Sequence, residues 1–381
     1  MRTAAQLTFQ RSPFVVSYWQ GRRLVFENFA TGVCASAAPI ACEVLNFFDC
    51  WRPAQALFSH LNEYDPDALR EAIDLLVRHS FLNRSDRKES RTERLLSSWK
   101  DWNPAAGFFH FSTRNFSYET DWVALTRGVR QLARRVPMPK PVKRYVRAPQ
   151  MRLPPPRTHG EFARALLGRH TWRRFSRQPL SLSDLGTLLG LTWGVREWVS
   201  VPGVGRLALK TSPSGGALHP IEAYVLARRV KELAPGLYHY NSERHHLELL
   251  RRGATSRQVT GYLAGQWWFS NAAALILMTA VFPRTQWKYH SPGAYRVVLT
   301  EAGHLCQTFC LVASWLGLAP FCTMALSQSR IEKDLGIDGI TEDVIYAAGV
   351  GSVPSGQDWH TAALPELPGG KKRRTAESLR P

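Results

Sequence analysis

Ser212-Pro213-Ser214-Gly215-Gly216-Ala217-Leu218-His219-Pro220 has the composition of a loop, and Glu222-Ala223-Tyr224-Val225-Leu226-Ala227 after it reads as a strand. Ser-Gly-Gly allows positive φ and lets a ligand approach the backbone closely. The small side chains leave room for a flat ring. The plain alternative is an ordinary connection into the strand. Upstream, Leu182, Leu185, Leu188 and Leu189 within 181–193 recur at helical spacing, with Ser183 as a candidate cap. Downstream, 237–240 and 246–250 read as strands and 272–281 as a buried apolar run. The stretch 300–316 reads as a long helix with Leu305, Phe309, Val312 and Leu316 inward, and 344–348 as a short late strand. Helices and strands mix without strict βαβ alternation, which predicts an α+β fold rather than a doubly wound one.

The chain has 381 residues, enough for two or three domains. Four zones are read. Residues 13–85 open with strand-like text (Phe14, Val15, Val16, Tyr18; Leu24, Val25, Phe26), followed by three short helical stretches and a strand at Phe81-Leu82. In the third of these stretches, Asp65-Pro66 opens a helix with Leu69, Ile73, Leu76 and Val77 as its apolar stripe. That order matches a winged-helix module. Residues 86–157 form a basic, proline-rich connector with a candidate strand at Phe108–Phe111 and a basic helix over 122–135. Residues 158–356 are the main domain, and 357–381 a flexible basic tail.

Lysine and arginine number 49 against 30 acidic residues, a net charge of +19. From Trp122 to Gly160 there is no acidic residue, while Arg127, Arg130, Arg134, Arg135, Lys140, Lys143, Arg144, Arg147, Arg152 and Arg157 all fall there. With Lys371, Lys372, Arg373 and Arg374 these supply 14 of the 19 excess charges. An acidic partner, nucleic acid or a merely solvated linker each fit such a run. The six cysteines form no CxxC pair, so neither a disulfide framework nor a metal site is expected. No apolar window approaches about 18 uninterrupted residues, and no signal core opens the chain, so the expected setting is the cytoplasm, with no membrane partner.

Four clusters carry candidate chemistry. Arg169-His170-Thr171-Trp172-Arg173 in extended chain would place Arg169, Thr171 and Arg173 on one face, two guanidiniums and a hydroxyl suited to a phosphate. The Ser212–Pro220 stretch is the second. Lys288-Tyr289 is the third: burial lowers a lysine and a neighbouring cation lowers a tyrosine, so both can approach neutrality as acid–base groups. Sharing a role requires irregular backbone there. Glu301-Ala302-Gly303-His304 follows, with His304 read as a hydrogen-bonded core histidine. Gly349-Val350-Gly351, placed after the late strand, would offer backbone N–H groups to a phosphate. No Walker A, Rossmann, HExxH or GxSxG pattern is present.

In this order, R-x-T-x-R, P-S-x-G-A-x-H-P, Gly236-Leu237-Tyr238-His239-Tyr240, the Lys-Tyr pair and E-A-G-H resemble the nitroreductase-like FMN flavoproteins, and more closely the SagB/ThcOx-type azoline dehydrogenases. The resemblance covers 158–356, about half the chain. It implies a nitroreductase-like fold, helices around a mostly antiparallel sheet, working as a homodimer with FMN. Arg169 and Thr171 would bind the FMN phosphate, His170 would belong to the same cofactor site, and Arg173 would sit near the pyrimidine edge of the flavin. Pro213, Ser214, Gly215 and Gly216 would contact the flavin from a partner subunit, and Gly349 and Gly351 would lie near the phosphate. Lys288 and Tyr289 would be catalytic. The flavin N5 contact would fall near Phe321 to Ala325, where no motif aligns. The implied activity is oxidation of a peptide thiazoline or oxazoline to the azole, on a ribosomal peptide or a carrier-bound intermediate. An NAD(P)H-dependent reductase of nitro compounds, quinones or enones is the alternative on the same fold. A non-catalytic peptide-binding scaffold is a further reading. A DNA-binding regulator is disfavoured because 65–77 holds four acidic residues against one arginine, so the partner expected for the basic run is an acidic substrate, not nucleic acid.

Overall fold

The computed structural model describes residues 7–139, 141–143 and 151–356. Lys140, Arg144, Arg147 and the whole 357–381 stretch with its basic cluster lie outside the described residues. The chain forms two compact units, one from Met1–Arg114 and Gln286–Val297, the other from Asn115–Thr285 and Val298–Pro381.

In the first unit, Thr8–Arg11 pairs with Arg52–Pro53 on one side and Leu82–Arg84 on the other. Val15–Gln20, Arg23–Asn28 and Val33–Ser36 make a separate antiparallel meander. Helices Ile40–Phe47, Ala54–His60 and Pro66–Arg78 come between the strands in sequence. The last starts where the sequence indicates: the Asp65 carboxylate accepts from the Asp67 N–H, and Pro66 occupies the first turn, where no intrahelical donor is needed. Its Leu69, Ile73 and Leu76 join Phe9, Phe26, Val44, Phe48 and Phe81 in one core.

The expected strand at Phe108–Phe111 is corrected: Ala105–Ser112 is a helix. Ala106, Gly107 and His110 are its buried positions, at helical spacing, and the run of aromatics conceals that period. Gly107 lies so near Phe29 that a Cβ there would stand 2.9 Å from the ring.

The second unit is organised by a six-stranded, fully antiparallel sheet. Its strands are β1 (Ile221–Ala227), β2 (Gly236–Asn241), β3 (His246–Arg252), β4 (Ala274–Val281), β5 (Leu318–Thr323) and β6 (Glu342–Ser352), in spatial order β3-β2-β1-β4-β6-β5. Residues 274–280 of β4 are all buried, so both faces of the central strand are covered, and the sequence there shows an apolar run instead of alternation. β6 has 11 residues and is longer than the 344–348 expected. Leu182–Trp193 is helical as its leucines predict, but the cap is Ser181, whose side chain accepts from the Asp184 N–H at 2.9 Å, not Ser183. Helix Ala294–Trp315 is long and apolar enough to cross a membrane by length and composition. Its Val298, Ala302, Leu305, Phe309 and Ala313 are instead buried within the fold.

Candidate functional site

The loop of 212–220 is held in an uncommon shape by the middle of the long helix Ala294–Trp315. Gly215 N–H donates to the Glu301 carboxylate at 2.7 Å, and the Ser212 hydroxyl shares a hydrogen bond with Thr308 at 2.8 Å. The His219 N–H donates to the Ser214 hydroxyl at 2.9 Å. Gly216, Ala217 and His219 have φ of +68°, +56° and +44°, a left-handed path that glycine takes freely and the other two do not. Such strain persists only where its surroundings over-determine it, and here Glu301 and Ser214 do so. Glu301 itself is raised above the ordinary carboxylate value, chiefly by burial. Within E-A-G-H the glutamate is the engaged residue: Glu301 is buried, while His304 is exposed and not the core histidine expected.

Behind the loop, Trp193, Lys210, Ser212, His219, Glu301 and Leu305 line a cavity of about 10 Å³, room for roughly one water. His219 is lowered to about 4, first by burial and then by the charge of Lys210. Its Nε2 faces the Ala208 carbonyl at 2.9 Å, and a carbonyl only accepts, so this nitrogen carries the proton. Lys210 is likewise lowered by burial. Glu222 ion-pairs with Arg284 and meets His239 at 3.3 Å, closing a charged network at the start of β1.

Residues 169–174 are half-buried and non-helical. The Trp172 N–H donates to the Pro320 carbonyl at 2.9 Å and the Ser176 N–H to the Ser352 carbonyl at 2.9 Å, which ties this segment to β5 and β6. The Arg173 guanidinium lies 5.7 Å from the Trp122 ring centroid, and burial lowers it. A half-buried guanidinium of this kind favours an anionic neighbour. The positive charge of Arg169 acts on Cys310 and Cys322. His170 and Thr171 lie between the two arginines. Two guanidiniums with an imidazole and a hydroxyl between them form a donor set suited to a phosphate.

Gly349 and Gly351 are not in a loop after the late strand. They lie within β6, which is paired on one side to β4 and on the other to β5. Their N–H groups point at neighbouring strands, so the role expected from loop amides loses its basis. They serve packing: a Cβ on Gly349 would stand 2.1 Å from the Phe321 ring, and one on Gly351 2.8 Å from Phe175. Phe321, near the expected N5 contact, faces inward and stacks on Phe269 at 3.8 Å between centroids. Met324 is exposed.

Lys288 and Tyr289 belong to the first unit. Their backbone is a turn leaving helix Phe282–Gln286, the irregular chain that a shared role needs. Lys288 is exposed, so the burial expected for it is not found. Its Nζ stands 5.5 Å from the Tyr289 ring centroid. The segment is pinned within its unit. Trp102 Nε1–H donates to the Tyr289 carbonyl at 2.9 Å, His290 meets Asp101 at 2.9 Å, and His110 Nδ1 meets the Tyr295 hydroxyl at 2.9 Å. Tyr295 sits among Trp99, Trp102 and Phe109.

A cluster that sequence reading missed lies between the long helix and the sheet. The Sγ atoms of Cys306, Cys310 and Cys322 are all within 4.8 Å of one another. The i, i+4 spacing of the first two was the available signal; the third joins only through the fold.

Residues 166–352 match the family model described as the nitroreductase family. The chain is 30% identical over 172 residues to the trifolitoxin-processing protein TfxB of Rhizobium leguminosarum bv. trifolii, covering 44% of this chain and 46% of that one. It thus spans about half the length of that relative. It is 29% identical over 172 residues to MJ1384 of Methanocaldococcus jannaschii, whose name places it among nitroreductases, covering 45% of this chain and 82% of that one. Among solved structures, a chain of the E. coli microcin synthetase McbBCD complex with truncated pro-MccB17 aligns at 19% identity and TM-score 0.47, covering 71% of this chain and all of that one.

Proposed function

We propose, from the premise that this chain carries a nitroreductase-family oxidoreductase domain at residues 166–352, that it is an FMN-dependent dehydrogenase converting peptide thiazolines or oxazolines to azoles. The observation that carries the reading is the placement of Lys288 and Tyr289. The pair lies within the span of the family match, yet its segment is fastened by Trp102 and Asp101 to the unit that also holds the N-terminal module. A small-molecule reductase has no need of that arrangement. An enzyme that must match proton removal to a tethered peptide does. The identity to a protein named for trifolitoxin processing supports the same class of substrate.

Arg169 and Thr171, with His170 between them, would hold the phosphate of FMN, and Arg173 its pyrimidine edge. Pro213, Ser214, Gly215 and Gly216 would contact it from a second copy in a homodimer. FMN, when bound, supplies a two-electron acceptor for the hydride that leaves the azoline ring. Lys288 or Tyr289 takes the ring proton, and such positioned proton transfer contributes about 10²–10⁴-fold. The module over 13–85 would bind the substrate's leader, and the protein would work in the cytoplasm.

The test uses purified protein with its flavin spectrum recorded first. Lys288→Ala and Tyr289→Phe are expected to keep full flavin content and lose azole formation by at least about 100-fold. Full turnover by the double variant would remove both residues from the mechanism. The alternative is the NAD(P)H-dependent reductase, in keeping with the MJ1384 match. Rapid bleaching of the flavin by NADPH, with no azoline oxidised, would establish that alternative instead.

A further inference from the structure

Cys306 and Cys310 stand one turn apart on helix Ala294–Trp315, so their side chains share a face. Cys322 comes from β5, and Tyr346 of β6 is its neighbour. Cys306 and Cys310 are each only 3% exposed, and Cys322 is half-buried, which leaves an approach from one side. We propose that Cys306, Cys310 and Cys322 bind one soft monovalent metal ion, Cu(I).

A metal–thiolate bond of about 2.3 Å puts three ligands around one ion roughly 4 Å apart. The sulfurs, already within 4.8 Å, need to draw in by less than about 1 Å. The set is all sulfur, with no imidazole or carboxylate in the group. Thiolate-only sites select soft ions, Cu(I) and zinc among them. Zinc takes four ligands in closed sites, and the added neighbour here is the phenol of Tyr346, a poor donor to zinc beside thiolates. Three-coordinate Cu(I) is satisfied by what is present. Binding replaces protons by metal: three thiols and one Cu(I) give a Cu(I) tris-thiolate of charge −2 and three protons, with no change in oxidation state. The ion would join the helix to the edge strand of the sheet. The inference stands apart from the proposed azoline activity and needs neither flavin nor peptide.

Exposed Cys34, Cys42 and Cys50 would bind copper adventitiously, so the test is made on full-length protein in which all three are serine. The reduced protein is titrated anaerobically with Cu(I) against bathocuproine disulfonate, and in parallel with zinc against a chromogenic chelator. The expected result is one equivalent of copper withheld, with no zinc withheld. Cys306→Ser and Cys310→Ser should each weaken copper retention at least tenfold, while circular dichroism and flavin content stay unchanged. A fully reduced parent that withholds no copper overturns the proposal, however the variants behave. So does zinc held as tightly as copper, or a parent whose buried thiols form a disulfide that reductant does not open.

Discussion

Gly349 shows how a glycine can mislead at the scale of one residue. In sequence, Gly-Val-Gly suggested amides free for a phosphate; in the fold the same residues are a seat for aromatic rings. Gly349→Ala is expected to destabilise the second unit by about 1–3 kcal/mol, because the methyl must displace the inward Phe321 ring from its stack on Phe269. A fall of a few degrees in Tm measures this, and an unchanged Tm would mean that Phe321 has room to move. His219 makes a pH-dependent case. Its folded value lies near 4, below the ordinary 6.5. Between those values the unfolded chain binds the proton and the folded chain does not, so stability falls as pH drops through that window. His219→Gln should therefore narrow the loss in Tm between pH 7 and pH 5, and an equal loss in both proteins would show that other groups set the acid sensitivity. Neither the buried position of His219 nor its link to the Ala208 carbonyl was legible in Leu-His-Pro, because both depend on chain folded back from 11 residues upstream.

Among elements, those with a clear period were legible. Leu182–Trp193 is legible in its leucine spacing, Pro66–Arg78 in its cap and apolar stripe, Trp122–Arg135 as a basic helix and β4 as an apolar run. Ala105–Ser112 was not, since consecutive aromatics satisfy a period of two as well as one of 3.6. The roles of Glu301 and of the three thiols were hidden for another reason: helix Ala294–Trp315 presents them to partners from other parts of the chain. The segment carrying Lys288 and Tyr289 depends likewise on tertiary partners, chiefly Trp102. Trp102→Phe keeps the aromatic packing and removes the donor to the Tyr289 carbonyl. Leaving that acceptor unsatisfied costs about 1–3 kcal/mol. If Lys288 and Tyr289 work as proposed, kcat for the azoline should fall with little change in KM and none in flavin content. A parallel loss of bound flavin would assign Trp102 to general folding instead of positioning.

The charge asymmetry belongs to the molecule as a whole. Of the basic run, Arg127, Arg130, Arg134 and Arg135 lie on helix Trp122–Arg135, which buries no residue. Asp121 caps the helix, and Trp122 anchors its start against Trp268 at 5.4 Å. Beyond that anchor Leu125, Val129 and Leu132 are exposed on one face beside the arginines, so the helix offers an apolar stripe flanked by positive charge. Its exposure means that the arginines do not serve the second unit's own core. Two like-charged copies would repel across such a face, which favours an acidic partner. If the substrate is a peptide with an acidic leader, glutamine at Arg130, Arg134, Arg135 and Lys143 should slow its capture by about tenfold at low salt. The effect should fade as ionic strength rises and the Debye length shrinks below about 8 Å. A truncated substrate without the acidic segment should react equally well with both proteins. Equal slowing of the two substrates would show that the arginines support the fold or merely solvate the helix, because steering acts only on the charge that the leader carries.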